Sequence, residues 1–493
     1  MQIILENCPL ETAVHETLTC LLPEERHGLA ADCGGGWVRC RLEEAEGAFV
    51  ARVEAQRDGL RREDMCRLPQ EGQGPWERKR VATRAVKTAV YRAVVGFLPA
   101  PPVWGAMSGV KPAKPVRQAF PQGIDPVEAD KLLAERFYIE PSRRRLAVQC
   151  AQQAQACEQS LGPRDGALYI GIPFCPSKCV YCSFVSSSTA RSGHLVAPYL
   201  DVLCQEVEAA GEGLRQSGAR LDSIYIGGGT PTTLDEHQLD RLLQAVERHL
   251  PKAGEFTVEA GRPETITQEK LQVLAGHGVG RISINPQSMH DEVLREVGRL
   301  HTVEQVVQTY ELARRTGDFQ INMDLIAGLP GDTEEGFLES VEKLIRLEPE
   351  NITIHCLARK KGSPLRFGKQ GQLPAALLDE AYRRLEQAGY EPYYLYRQKY
   401  IAGNLENVGF AKKGTICRYN ICMMEELCPV VALGAGGVTK LCADGGRCVS
   451  RIANPKYPKE YLEHLERVIQ DKRRAVEFYA AMNQEGHNGL SAQ

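Results

Sequence analysis

Between Leu168 and Cys356, short apolar runs alternate with stretches whose apolar residues recur every three or four positions. The runs are LYIGI (168–172), DSIYIG (222–227), EFTVEA (255–260), RISIN (281–285), INMDLI (321–326) and NITIHC (351–356). Each is bounded by turn residues and is nearly continuously apolar, as expected of parallel strands buried on both faces. The intervening stretches read as helices. Thr233 with Glu236, Thr302 with Gln305, and Asp332 with Glu335 have the spacing of capping boxes. Leu239, Leu242, Leu243 and Val246 form one apolar stripe at helical spacing. Six β/α units in series predict a parallel sheet with right-handed crossovers, and six fit a partial barrel better than a closed eight-unit one. Ligands of such folds bind at the carboxyl ends of the strands.

The flanks differ. Residues 1–125 read as an N-terminal extension domain: an α/β pattern to about Leu68, a basic helix with Arg78, Lys79, Arg80, Arg84, Lys87 and Arg92, and a Pro-rich linker or loop at 98–116. The barrel is expected over 126–360. Residues 361–493, Gly- and Tyr-rich and then helical from about Pro458 to Met482, read as an α+β domain covering the substrate.

Composition narrows the function. Of 493 residues, 25% are charged and the net charge is −3, so nothing suggests a nucleic-acid partner. No apolar run could span a bilayer, and the N-terminus lacks a signal peptide's basic and apolar regions, so a cytoplasmic protein that does not engage membranes is expected. There, 17 cysteines are buried thiols or metal ligands rather than a disulfide framework.

One group of cysteines stands apart. YIGIPFCPSKCVYCSF places Cys175, Cys179 and Cys182 at C-x3-C-x2-C directly after the first barrel strand. In a chain of this composition that spacing arises by chance roughly 0.02 times. Three thiolates on a [4Fe-4S] cubane leave one iron open, and the amino and carboxylate groups of S-adenosylmethionine (SAM) can occupy it. A zinc knuckle would want a fourth Cys or His nearby, and no His lies between Gln155 and Arg191. The glycines of IYIGGGTPT (224–232), after the second strand, let backbone approach a ligand closely. Glu259, Gln287, Arg299 and Asp324 recur at later strand ends and read as a ring of polar groups around one ligand.

These motifs carry a resemblance. From Tyr169 to Lys440, IPFCPSKCVYCSF, GGGTPT, NPQSM, GRLHT and MDLIAGLPGDT resemble the oxygen-independent coproporphyrinogen dehydrogenase family of radical SAM proteins in order and spacing. WGAMSGVKP, YRQKYIAGNLENVGFAKKG and YNICMMEE are similar to its HemZ-type branch. The resemblance implies a cluster on Cys175, Cys179 and Cys182, and SAM contacts from Tyr169, Gly227, Gly228, Gly229, Thr230, Glu259, Gln287, Arg299 and Asp324. It implies oxidative decarboxylation of coproporphyrinogen III to protoporphyrinogen IX in heme biosynthesis, with a flavodoxin- or ferredoxin-like electron donor. A monomer is expected. Two positions depart from the best-studied branch: Gly171 replaces a histidine, and Phe184 a cysteine after the triplet. The alternatives are a heme-binding chaperone, with His355 or a C-terminal cysteine as axial ligand, and a radical enzyme acting on another tetrapyrrole.

Further residues admit two readings each. Arg262, Arg397 and Lys399 are either clamps for substrate propionates or surface charges. Tyr390, Tyr393, Tyr394, Tyr396 and Tyr400 line a macrocycle pocket or pack a strand. Cys417, Cys422, Cys428, Cys442 and Cys448 fit no simple cluster template and read as buried thiols.

Overall fold

A computed structural model describes residues 1–30, 35–70, 74–184, 186–358, 363, 365, 373–398, 401–443 and 448–485. The chain divides into two compact units, Met1–Val148 with Arg397–Tyr400, and Gln149–Tyr396 with Ile401–Gln493.

In the first unit, β1 (Gln2–Glu6), β2 (Trp37–Ala45), β3 (Ala48–Arg57) and β4 (Leu60–Pro69) form a sheet in chain order. β1 runs parallel to β2, and the remaining pairs are antiparallel. Alternation along β2 and β3 sends Val38, Cys40, Ala51, Val53 and Ala55 into the core. The basic helix spans Pro75–Val95, with proline where a missing N–H costs nothing. Its apolar face, including Val81, Val86, Val90 and Val94, joins that core. Three of its cations pair locally: Arg78 with Glu44, Lys87 with Glu16, and Arg92 with Asp64, while Arg80 lies over the Trp76 ring. The Pro-rich stretch is ordered around the fully buried Trp104.

The second unit is built on the predicted strands. β5 (Asp165–Ile172) leads to a short parallel pair, β6 (Phe174–Cys175) with β7 (Ser187–Ser188). β8 (Arg220–Gly228), β9 (Glu255–Gly261), β10 (Arg281–Ile284), β11 (Gln320–Ala327) and β12 (Asn351–Cys356) follow, each parallel to its predecessor in the sheet order β5-β8-β9-β10-β11-β12. All six expected strands are present.

The later chain extends both edges of this sheet. β13 (Glu391–Tyr396) and β14 (Asn407–Ala411) add antiparallel beyond β12. β15 (Val430–Leu433) adds parallel beside β5, followed by antiparallel β16 (Val438–Ala443) and β17 (Cys448–Ala453). The result is an α/β unit with an eleven-stranded mixed sheet ending at β13 and β17.

Of the expected capping boxes, Thr302–Gln305 is present. The helix Glu236–His249 is instead capped by Asp235 with Gln238, because Thr233 Oγ1 donates to the Thr230 carbonyl. The helix Glu334–Leu347 is capped by Thr333, whose hydroxyl accepts from the Gly336 N–H, while Asp332 accepts from the Thr333 N–H. Helix Glu236–His249 buries the whole predicted stripe. No helix among the described residues is long and apolar enough to cross a membrane.

Candidate functional site

β5 delivers the cysteine loop, and its neighbours fix it. Cys175 and Cys179 are buried and Cys182 is half-buried. The Val180 N–H donates to Val297 O, and Ser177 Oγ to Gly298 O, tying the loop to the turn after the Asp291–Glu296 helix. Thr230 Oγ1 lies 3.6 Å from Cys175 Sγ. Arg262 Nη2 lies 3.0 Å from Cys179 Sγ and donates to Ser177 O at 2.8 Å. Burial raises the Cys182 thiol above its ordinary value.

The glycine turn after β8 packs directly against this loop. Gly229 N–H donates to Ile172 O at 2.8 Å and Thr230 N–H to Phe174 O at 2.7 Å. A Cβ on Gly229 would sit 2.4 Å from Phe174 O, and one on Gly227 would sit 2.8 Å from a Glu259 oxygen. Gly228 has φ +113°, a conformation that side chains rarely tolerate. Glycine is required here because two backbones approach each other.

The polar ring separates into two groups. In the first, Glu259 accepts from the Tyr225 hydroxyl at 2.5 Å and from Gly228 N–H at 3.3 Å. Burial lifts its carboxyl to about 7; the nearby Asp324 charge adds to the rise, and the Tyr225 and Gly228 hydrogen bonds oppose it. Asp324 accepts from Asn322 Nδ2 at 2.8 Å and faces His355 Nε2 at 3.7 Å. Burial pushes its carboxyl up, but His355, Asn322 and Thr353 outweigh burial and hold it below the usual range. Tyr169 stacks in line with Tyr225 and Tyr419 beside this group.

In the second group, Arg299 donates to Asn285 O at 2.8 Å and to the Tyr181 hydroxyl at 3.2 Å. Burial opposes its charge, but Tyr181 and Cys179 outweigh burial and hold the guanidinium protonated. Arg262 Nη1 donates to Glu264, which lies 2.9 Å from His301 Nδ1. Burial raises Glu264, yet His301 and Arg262 bring it down to about 2.

Gln287 bridges the strand ends between them. Its N–H donates to Asp324 O and its carbonyl accepts from Ile326 N–H. Its φ is +71°, unusual for a residue with a side chain, and its buried Oε1 has no hydrogen-bond partner among the described residues. A positive-φ backbone beside an unsatisfied buried amide oxygen makes Gln287 a candidate ligand-binding position.

The site thus brings together Glu259, Asp324 and Gly228 on one side, and Arg299 with the cysteine loop on the other. Tyr181, Tyr225, His301 and Glu264 went unread in the sequence; only their places beside the motif residues marked them. Arg262 is not free to clamp a substrate, being engaged by Ser177, Cys179 and Glu264. Arg397 is buried in the first unit, over the Trp104 ring and donating to Met107 O. Lys399 and Tyr400 lie outside the described residues.

The other tyrosines and cysteines are packed. Tyr390 donates to Pro349 O, Tyr393 accepts from Asn420, and Tyr394 stacks on Tyr396. Cys417, Cys422, Cys428 and Cys442 are buried, and Cys422 Sγ lies 4.0 Å from Cys157 Sγ. The side chain of Cys448 lies outside the described residues. Gly171, the first departure, lies close to backbone on its Cβ side. A Cβ there would sit 3.3 Å from Ala435 O and 3.4 Å from Leu433 O, and the Tyr199 hydroxyl closes on its carbonyl. Phe184 is two-thirds exposed.

Among the described residues, no three Cys, His, Asp or Glu side chains converge as ligands of a single metal ion would. A cubane makes no such demand, because each thiolate binds a different iron. Three thiols on one loop, with a cation and a hydroxyl already directed at two of them, have the donor chemistry for such a cluster. The unsatisfied Gln287 oxygen and the carboxylates suit a polar ligand beside it.

The radical SAM superfamily model matches residues 169–344. The chain is 37% identical over 385 residues to the oxygen-independent coproporphyrinogen-III oxidase-like protein HemZ of Bacillus subtilis, covering 76% of this chain and 77% of that one. It is 29% identical over 326 residues to the heme chaperone HemW of Haemophilus influenzae, covering 64% and 81%. Among solved structures, coproporphyrinogen III oxidase (HemN) from Escherichia coli, a radical SAM enzyme, aligns over 67% of this chain and 81% of its own with TM-score 0.49 and 23% identity. With its cysteine loop at the end of β5 and a HemZ relative matched over more than three quarters of both chains, the protein belongs to the oxygen-independent coproporphyrinogen III oxidase-like family of radical SAM proteins, in its HemZ-type branch.

Proposed function

We propose that this protein decarboxylates coproporphyrinogen III oxidatively to protoporphyrinogen IX, with a [4Fe-4S] cluster on Cys175, Cys179 and Cys182 and SAM beside it. The observation that carries the reading is the sustained 37% identity to the HemZ protein, joined to the cysteine loop at the sheet's carboxyl edge. When bound, cluster and SAM together supply an adenosyl radical able to take a hydrogen atom from a propionate side chain. Each of the two reacting propionates then gives up one electron and carbon dioxide, leaving a vinyl group, and the other two remain.

The chain's own residues hold and orient. Ionised Glu259 and Asp324 accept hydrogen bonds from the ribose hydroxyls and ammonium of SAM, Gln287 Oε1 adds an acceptor, and Arg299 pairs with the methionine carboxylate. Tyr169 and Gly227–Thr230 form the wall against which the ligand lies. A flavodoxin- or ferredoxin-class donor supplies the electron for SAM cleavage.

A heme-carrier reading draws on the HemW relatives. It would use His355, whose ring nitrogens already face Asp324 at 3.7 Å and the Tyr396 hydroxyl at 3.4 Å, so heme would have to displace one of them. Anaerobic incubation of reconstituted protein with coproporphyrinogen, SAM, a strong reductant and an electron acceptor separates the readings. Decarboxylation through a monovinyl intermediate supports the oxidase. Stoichiometric heme binding without product supports the carrier, and deoxyadenosine formation indifferent to coproporphyrinogen points to another substrate.

A further inference from the structure

We propose that Arg262 sets the reduction potential of the cluster, as a fixed cation hydrogen-bonded to Cys179 Sγ and held there by Glu264 and His301. This rests on the reading of Cys179 as a cluster ligand.

Arg262 follows β9 directly and opens the short turn Pro263–Thr265. Its side chain is 4% exposed, so its charge is not screened by bulk water. Both terminal nitrogens are fixed: Nη1 by Ser177 Oγ at 3.2 Å and Glu264 at 3.1 Å, Nη2 by Ser177 O at 2.8 Å and Cys179 Sγ at 3.0 Å. Glu264 is held in turn by His301, itself 3% exposed. The guanidinium therefore cannot swing away from the sulfur without breaking bonds on both sides. Arg299, the second buried cation of the site, donates instead to carbonyls and the Tyr181 hydroxyl.

A reduced cluster carries one more negative charge than an oxidised one. A cation donating to a ligand sulfur stabilises the reduced form more, and so raises the potential. Arginine stays charged throughout the working pH range, which makes this bias constant. Electron entry from the donor becomes easier, and the cluster gives up some driving force toward SAM.

The test is potentiometric titration of the reconstituted cluster, followed by electron paramagnetic resonance without SAM or tetrapyrrole, with iron content measured in parallel. The variants are Arg262→Met, Arg262→Gln and Arg262→Lys. The expected result is full iron content and an approximately tenfold shift of the reduction equilibrium against the reduced form in Arg262→Met and Arg262→Gln, about 59 mV for one electron. Arg262→Lys stays near wild type. Unchanged or raised potentials in the neutral variants would overturn the proposal. So would failure of both to load a cluster while Arg262→Lys loads normally, since Arg262 would then only scaffold the loop. Wild-type protein that takes up no cluster would overturn the cluster reading itself, a result distinct from any variant's behaviour.

Discussion

The two halves of the rim over β8–β11 solve opposite electrostatic problems within one sheet edge. On the cysteine side, Arg262 is held by Ser177, Cys179 and Glu264, and Arg299 by backbone carbonyls and the Tyr181 hydroxyl. On the other side, two buried carboxylates share a small space. Asp324 is kept ionised by His355, Asn322 and Thr353, while Glu259 is pushed up to about 7 by burial and by Asp324 itself. Neither half is complete among the described residues: His301 Nε2 on the cationic side and Gln287 Oε1 between the two are buried without a hydrogen-bond partner, and Glu259 is held by two hydrogen bonds against its burial. A ligand bringing positive charge and hydroxyls suits the anionic side, and one bringing a carboxylate suits Arg299 on the other.

Breaking the cysteine side should have the largest effect. Cys175→Ser, Cys179→Ser and Cys182→Ser are each expected to abolish reductive SAM cleavage, whereas Cys417→Ser, whose thiol faces Glu255, should leave it intact. Deoxyadenosine release under anaerobic reduction reads both, and normal release by Cys179→Ser would refute the ligand assignment.

Removing one charge from each half comes next. Arg299→Ala and Asp324→Ala should each weaken SAM binding by about 2–5 kcal/mol, the usual cost of deleting a charged partner of a bound group. Equilibrium binding to cluster-loaded protein measures this. Unchanged affinity in both would mean that SAM does not lie between the halves.

The contact between the glycine turn and the cysteine loop allows a smaller, purely steric test. Gly229→Ala places a methyl group against Phe174 O and should cost about 1–3 kcal/mol of stability, the range for overpacking a tight site. Thermal unfolding of the cluster-free protein reports it, and an unchanged midpoint would show that the loop yields freely.

The smallest expected effect is pH-dependent. Glu259 loses its proton as pH rises through about 7, and the carboxylate is the form that accepts hydrogen bonds. SAM affinity should therefore rise from pH 6 to pH 8, by at most about tenfold. Glu259→Gln should flatten that rise. A pH-independent wild-type affinity would place the carboxyl outside the ligand's reach.

Much of this molecule was legible in its sequence, for identifiable reasons. The six parallel strands were readable because strands buried on both faces are continuous apolar runs, as in NITIHC (351–356). The helix starts were less secure, because several residues near Thr233 and Asp332 can all accept a backbone hydrogen bond. At the site, the cysteine spacing and the strand-end residues announced themselves locally. The partnerships did not. Arg262 meets Cys179 across 83 residues, and Arg397 belongs to the packing of the first unit, so neither role is encoded by neighbouring residues.

The central claim is that the rim binds SAM in order to oxidise coproporphyrinogen. It is tested most directly by mass analysis of the tetrapyrrole after anaerobic turnover by wild type and by Cys179→Ser. The account predicts successive loss of two carbon dioxides, each with two hydrogens, in wild type and an unchanged tetrapyrrole in the variant. Deoxyadenosine accumulating in wild type beside coproporphyrinogen of unaltered mass would contradict it.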